Sequence, residues 1–509
     1  MSRVLPKGWV EVRLEDAVEL LDFEREPVNS EERTKRLAGK KEGELYPYYG
    51  ATGQAGWIDD FRSEGERVLL GEDGAPFLDP SRDKAYCVTG RFWVNNHAHV
   101  LQGVEALLDN RFLCHQLNTV DYQPHVSGST RLKLTSSAMK RIPLVIAPRL
   151  EQNRIVEKLE ELLSDLDAGV AELKAAQKKL ALYRQSLLKA AVEGALTADW
   201  RTQRAAHGES LETGADLLAR ILTERRARWE ARQLAKFEEQ GKMPPKGWQA
   251  KYPEPVQPDT SDLSSLPARW IWASLDMLGE IVSGVAKGSK QTPGVSLREI
   301  AYLRVANVQR GFLDLTETKK IMASERDIEE LTLRNGDVLF NEGGDRDKLG
   351  RGWVWRDEVA ECIHQNHVFR MRPYLPEVLS EFVSHHGNTF GKSWFQQAGK
   401  QTTNLASINM GILRAFPVPV PPTDEAREIL ERVSQEIEAI KLQEASIELG
   451  LRQSTAQRKN LLKAAFSGRL VPQDPDDEPA SALLARIRAE REERVSSDPA
   501  RRKRRSAHA

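Results

Sequence analysis

The side chains best suited to chemistry lie in short, glycine-spaced loops, and their types favour hydrogen bonding over covalent reaction. One loop carries Tyr49, Gly50, Thr52, Gly53 and Gln54, a second carries Gly71, Glu72 and Asp73, and a third carries Asn96 and His97. The second half of the chain has Arg304 and Asn307, then Asn341 and Glu342, Asn366 and His367, and finally Lys400 with Thr402, Thr403 and Asn404. Amide, guanidinium and imidazole groups can meet the donors and acceptors on base edges. Hydroxyl and ammonium groups suit phosphates, and flanking glycines let a backbone approach closely. Gly71 matches Asn341 and Asn96-His97 matches Asn366-His367 at one constant offset, while the residues between diverge. A shared frame with different contents fits two readers of two different short sequences.

A reaction centre is not legible. No Gly-x-x-x-x-Gly-Lys-Ser/Thr phosphate cradle occurs, and Gly343-Gly344 lacks the lysine that would follow it. Ser127-Gly128-Ser129 is no nucleophile elbow. The pairs His97/His99 and His385-His386 lack cysteine or carboxylate companions at ligand spacing, so no metal is expected. Cys87, Cys114 and Cys362 form no Cys-x-x-Cys pair and are expected as buried thiols.

Two long heptad segments must position these loops. Leu159, Leu166, Leu173, Leu180 and Leu187 recur every seven residues, with Leu162, Ala176, Tyr183 and Ala190 at the other seam position. About 46 residues of helix would reach roughly 70 Å. The second segment repeats the first without a gap, Ile155 matching Ile429, Leu159 Val433, Leu166 Ile440 and Leu187 Leu461. Each follows a proline-rich exit and ends in a Leu-Leu-Lys-Ala-Ala phrase, at Leu187 and at Leu461. Glu444, Ser454 and Arg458 on or near the second seam would sit badly in a long self-paired zipper, so the two helices are expected to pack on each other, antiparallel, with a globular domain at each end. Leu217-Leu218-Ala219-Arg220-Ile221 recurs at Leu483 to Ile487, so a short helix is duplicated too.

At 509 residues the chain exceeds one core and predicts several domains. A net charge of −1 excludes a generally basic, whole-surface grip on nucleic acid and leaves local patches or shared phosphate binding. The run Arg501-Arg502-Lys503-Arg504-Arg505 reads as a solvated tail. No apolar run approaches a membrane span and the first residues lack an export signal, so the cytoplasm is expected.

The order of these motifs, doubled, resembles the specificity subunits of type I restriction-modification systems. The likeness is carried by Tyr49-Gly50-Ala51-Thr52-Gly53 with Gly71 to Gly74, by Gly336 to Leu339 with Asn341-Glu342-Gly343, and by Thr402 to Leu405. The run Pro143 to Gln152 and the two Leu-Lys-Ala-Ala phrases complete it. The resemblance implies two tandem mixed α/β target recognition domains separated by long antiparallel coiled-coil helices, an internal pseudo-two-fold duplication. Expected boundaries are 1–150 for the first recognition domain, 151–196 for the first spacer helix and 197–261 for a short helix and linker. Residues 262–422 would form the second recognition domain, 423–470 the second spacer helix, and 471–509 a C-terminal helix and basic tail.

It further implies a non-catalytic subunit that reads a bipartite, asymmetric double-stranded DNA target and docks two modification (methyltransferase) subunits, with restriction subunits joining them. Cofactors would be none on this chain, with S-adenosylmethionine, ATP and Mg2+ on the partners. The alternative is a scaffold with two protein-binding heads that binds no DNA. One departure stands out: Glu151-Gln152 opens the first rod helix, whereas Glu425-Ala426 opens the second, which predicts a different docking there.

Overall fold

The computed structural model describes residues 5–207, 212–286, 296–401 and 406–497. The chain divides into two compact units, Met1–Ala175 with Ser446–Ala509, and Ala176–Ala445. Each unit holds one mixed α/β head together with parts of both long helices.

In the first unit, the antiparallel strands Val10–Arg13 and Pro143–Ile146 close the head at its base, with Val12 facing Leu144. Pro143 is tolerated because it begins its strand. Above them lies an antiparallel sheet in the order Val18–Leu20, Ala98–Gly103, Arg67–Gly71, Ala85–Val88. A second sheet runs Gly53–Ile58, Tyr46–Gly50, Arg91–Val94, Ser63–Glu64, its middle pair parallel. Helix Asn110–Leu117, capped by Asp109, lays Phe112, Leu113 and Leu117 into the core.

The second unit repeats this plan. Ile271–Ser274 pairs with Pro417–Val420, and the main sheet runs Gly279–Ser283, Val368–Pro373, Val338–Asn341, Gly352–Val354. The companion sheet runs Lys319–Ser324, Leu297–Leu303, Cys362–His364, again with one parallel pair. Backbone hydrogen bonds recur as well: Leu14 N donates to Ile142 O and Leu275 N to Phe416 O, each at 2.9 Å.

The long helices are Arg149–Val192 and Thr423–Ala465. Within the first unit Leu173 packs over Gly450, and Arg458 pairs with Asp167. Within the second, Tyr183 donates to Glu436 at 2.9 Å, Arg184 bridges Glu444 at 2.9 Å, and Ala191 packs with Ile429 and Val433. Rising numbers on one helix meet falling numbers on the other, so the pairing is antiparallel in both units. The seam carries ion pairs where Glu444 and Arg458 fall, as their sequence positions require.

Two seam assignments shift. Tyr183 is exposed and Arg184 takes its place, and Ala191 rather than Ala190 is buried. A helix turning every 3.6 residues drifts against a strict seven-residue repeat, so the facing row moves by one position along the rod. A further correction concerns Cys87, expected as a buried thiol: it is exposed, because it lies on an outer strand of the first sheet.

The duplicated short helices each finish a head. Gly214–Glu239, opened by a Thr213/Asp216 capping box, puts Leu217, Leu218 and Ile221 into the second unit's core. Ala480–Ser497 puts Leu483, Leu484 and Ile487 into the first. The docking bond is the same: Gly214 N donates to Arg269 O at 2.8 Å, and Ala480 N to Gly8 O at 2.9 Å. The stretch after Lys242 is a packed return rather than a free linker. Trp248 stacks on Trp229 with ring centroids 5.7 Å apart, and the Tyr252 hydroxyl meets the buried Arg225 at 2.5 Å. No helix among the described residues is long and apolar enough to cross a membrane.

Candidate nucleic-acid interface

Each head gathers its glycine-spaced loops at the ends of its sheet strands through one backbone cradle. In the first, Glu72 N donates to His97 O at 2.8 Å and Leu134 N to Glu72 O at 2.7 Å. In the second, Glu342 N donates to His367 O at 3.0 Å and Ile408 N to Glu342 O at 2.8 Å. Sequence-matched positions thus occupy matched places, and they hold side chains of the same kind in different company.

In the first cradle His97 Nδ1 lies 2.7 Å from Asp73 Oδ1, which also accepts from Arg131 Nη2 at 2.8 Å. Behind it Glu72 pairs with Arg25 at 2.5 Å and Lys133 at 3.1 Å. Burial alone would raise the Glu72 carboxyl, but hydrogen bonds from Arg25 and Lys133 carry it below its ordinary range. His99, almost fully buried, faces Asp22 Oδ2 at 2.8 Å and Leu134 O at 3.1 Å. Burial would likewise raise Asp22, and His99 with Arg25 lowers it. The result is a charged loop on a neutralised base, rigid in the interior and open at Asn96, Arg131 and Lys133.

In the second cradle His367 Nδ1 meets Glu342 Oε2 at 2.5 Å, and Asn366 Nδ2 lies 3.5 Å from His367 Nε2. Each head therefore presents an accessible imidazole whose Nδ1 is held by a carboxylate. With Nδ1–H donated to the carboxylate, Nε2 of the neutral ring carries the lone pair and is the edge that accepts from a donor, as it does from Asn366 in the second head. Strand Gly343–Gly344 pairs with Ala406–Ser407, which pairs in turn with Lys400–Gln401, so Lys400 lies beside the glycine loop. Thr402, Thr403 and Asn404 fall outside the described residues.

Several expected contact residues turn out to be internal staples. Asn307 is buried: its amide donates to Asp314 O at 2.8 Å and Glu317 O at 2.9 Å, and its oxygen accepts from Arg304 N at 3.0 Å. Asn341 is buried too, donating to Val308 O at 2.9 Å. Gly71 packs where a Cβ would lie 2.4 Å from that of Ala75. Gly50 lies against Asn95, and its carbonyl accepts from the Tyr86 hydroxyl at 2.5 Å. Tyr49 is half-buried against Tyr86 and Phe92. Arg304 pairs with Glu317 at 3.4 Å. Thr52 and Gln54 are exposed at a hairpin tip, and Gly53, at φ +130°, makes that turn possible. Sequence reading missed Arg25, Asp22, Arg131 and Lys133. Their signal is three-dimensional, since Arg25, Arg131 and Lys133 converge on Glu72 and Asp73 from separate loops, and Asp22 meets Arg25 and His99 behind them.

Both rod helices open on a buried glutamate that a tryptophan from the head finds. Trp9 Nε1 donates to Glu151 Oε2 at 3.1 Å, and Trp270 Nε1 to Glu425 Oε2 at 2.9 Å. Glu425 also receives the Thr197 hydroxyl at 2.7 Å and pairs with Arg201. Among the described residues Glu151 receives Gln473 besides, at 3.4 Å, and its other oxygen is buried without a hydrogen-bond partner, so burial pushes its carboxyl up. Gln152 clamps Leu107 O, Ala147 O and Asp109 N, a joint that Ala426 cannot make.

The family described as the type I restriction modification DNA specificity domain matches residues 6–175. Across nearly the whole chain, 96% of both sequences, it is 23% identical to the EcoDI specificity subunit of Escherichia coli. The chain is similar to the specificity subunits of type I restriction-modification systems. A specificity subunit of Haemophilus influenzae is 35% identical over 163 residues, an alignment spanning 32% of this chain and 40% of that one. A solved chain from a study of complex assembly in a type I system superposes with a TM-score of 0.58 at 15% identity, covering 92% of this chain and all of that one. That likeness supports the fold, two tandem mixed α/β heads with long helices.

Proposed function

We propose that this chain reads a bipartite, asymmetric double-stranded DNA target, one half with each head, and carries no reaction centre itself. The observation that supports this most directly is the repeated cradle, with its carboxylate-held histidine, furnished differently in the two heads. His97, Asn96, Arg131 and Lys133 would serve the first half-site. His367, Asn366 and Lys400 would serve the second, and Thr402, Thr403 and Asn404 are assigned to the same half-site from the sequence. Asn307, Asn341, Gly50 and Gly71 would act from behind by holding the loops in shape.

In this reading the long helices dock two modification subunits, which methylate adenine using S-adenosylmethionine. Restriction subunits add ATP- and Mg2+-dependent action, and all of it takes place in the cytoplasm. The near-neutral net charge of −1 fits a subunit that leaves much of the phosphate grip to its partners.

The test is selection from random duplex DNA by the chain reconstituted with modification subunits, followed by binding at physiological salt. Two short specified blocks separated by a fixed unspecified spacer are expected, bound at least about a thousandfold more tightly than scrambled DNA. Equal affinity for selected and scrambled duplexes would refute the reading in favour of a scaffold with two protein-binding heads.

A further inference from the structure

We propose that Cys87 and Cys114 form a dithiol oxidation site in the first head, converted by a two-electron oxidant of the peroxide class into an intramolecular disulfide. This site is independent of the DNA-reading proposal. Cys87 lies on the outer strand Ala85–Val88 and is exposed, and Cys114 lies under it on helix Asn110–Leu117. The Cys87 thiol donates to Asn110 O at 3.6 Å, the carbonyl one helical turn before Cys114. Helical side chains lean toward the helix N-terminus, so Cys114 leans over the same turn. The neighbouring Cys87 thiol together with burial pushes the Cys114 thiol up, as the protonated partner of the pair.

Strand and helix are locked in register by one side chain. The Asn118 oxygen accepts from Lys84 N at 2.7 Å and Ala85 N at 2.9 Å, and its amide donates to Ala85 O at 2.8 Å. The thiols are therefore held close by the fold rather than brought together by chance. Cys362 provides the contrast, since it is buried with its thiol directed to Ile363 O at 3.4 Å.

The chemistry balances within the pair. The exposed Cys87 sulfur attacks one peroxide oxygen, the O–O bond breaks, one water leaves, and Cys87 becomes a sulfenic acid. The Cys114 sulfur then attacks the sulfenic sulfur, the S–S bond forms, and the second water leaves. Two thiols lose two hydrogens and two electrons, and one peroxide is reduced to two waters. The strand that carries Cys87 also carries Tyr86, whose hydroxyl holds Gly50 O, so the new bond would tie the helix to the support of the Tyr49–Gly53 hairpin.

The test treats the reduced, purified full chain with hydrogen peroxide, alkylates the remaining thiols and maps peptides without reductant. A Cys87–Cys114 linked peptide from monomeric chain, reversed by dithiothreitol and retained in Cys362→Ser, is expected. In Cys114→Ser, Cys87 should instead run on to sulfinic acid or couple between chains. Independently of any variant, phenylarsine oxide should protect both Cys87 and Cys114 of the unmodified chain from alkylation, because one arsenic bridges two near thiols. Sulfinic acid at Cys87 of the unmodified chain with Cys114 still alkylatable, or no protection by the arsenical, overturns the proposal.

Discussion

Replacing the two rod glutamates one at a time should give opposite results, because the same carboxylate does different work at the two joints. Glu425 is almost fully buried and saturated: Trp270, Thr197 and Arg201 all donate to it. Glu425→Gln removes the counter-charge of Arg201 and turns an amide N–H toward one of these donors. Breaking a buried pair costs about 3–5 kcal/mol, and the partial exposure of Arg201 trims this to about 2–4 kcal/mol. At about 2–4 °C per kcal/mol for a unit of this size, the transition of the second unit should fall by roughly 5–15 °C.

Glu151 is buried with one oxygen unpartnered among the described residues, so Glu151→Gln removes a buried charge that is satisfied on one side alone and should change stability by no more than about 1 kcal/mol. The pH dependence follows from the same cause. Because burial raises the folded carboxyl above its ordinary 4.5, the folded chain holds that proton more tightly than the unfolded one. The stability Glu151 contributes is complete below the unfolded value and is lost as pH rises through the raised folded value. Over that window the Gln variant should gain on the parent, and above it the difference should be flat. Scanning calorimetry of the full-length variants across mildly acidic pH measures both effects. Equal losses in the two variants, or a larger loss at Glu151, would refute the claim that the joints differ in electrostatic satisfaction.

Arg269 holds a left-handed backbone at φ +75° where the first head has Gly8 at +79°, so Arg269→Gly should stabilise by about 0.5–1 kcal/mol, read as a small rise in melting temperature. Asn307→Ala should lower thermal stability by about 1–3 kcal/mol, because it strands buried backbone groups. His367→Ala should leave stability unchanged and weaken only the second half-site in a binding assay against single-half mutants. Deleting residues 480–509 strips Leu483, Leu484 and Ile487 from the first core at about 1.5–3 kcal/mol each. Hydrogen exchange should then show the first head open and the second intact.

The duplicated rods were legible because their heptads and paired proline exits are local patterns, and residues 149 and 423 begin the two helices in register with the sequence match. The matched loops were legible for the same reason, and the cradle of Glu72 with His97 recurs at Glu342 with His367. The direction of individual side chains was not. Asn307 carries the same polar amide whether it meets a base or the carbonyls of Asp314 and Glu317, and only the closed turn decides between them. Arg131 and Lys133 gained their meaning from Asp73 and Glu72, which lie far off in sequence. Nor does Leu483-Leu484 announce that it completes the head at the opposite end of the chain.

That last feature bears on how the protein is made. The second unit is one continuous stretch, Ala176–Ala445, and can close as soon as it clears the ribosome. The first is synthesised first and finished last, since Ala465, Phe466, Leu483 and Ile487 belong to its core. At about 5–20 residues per second, the nascent first head waits tens of seconds with an open apolar face. Premature termination near the end of the message should therefore yield a chain that engages chaperones and aggregates, although all but a few dozen of its residues have been translated.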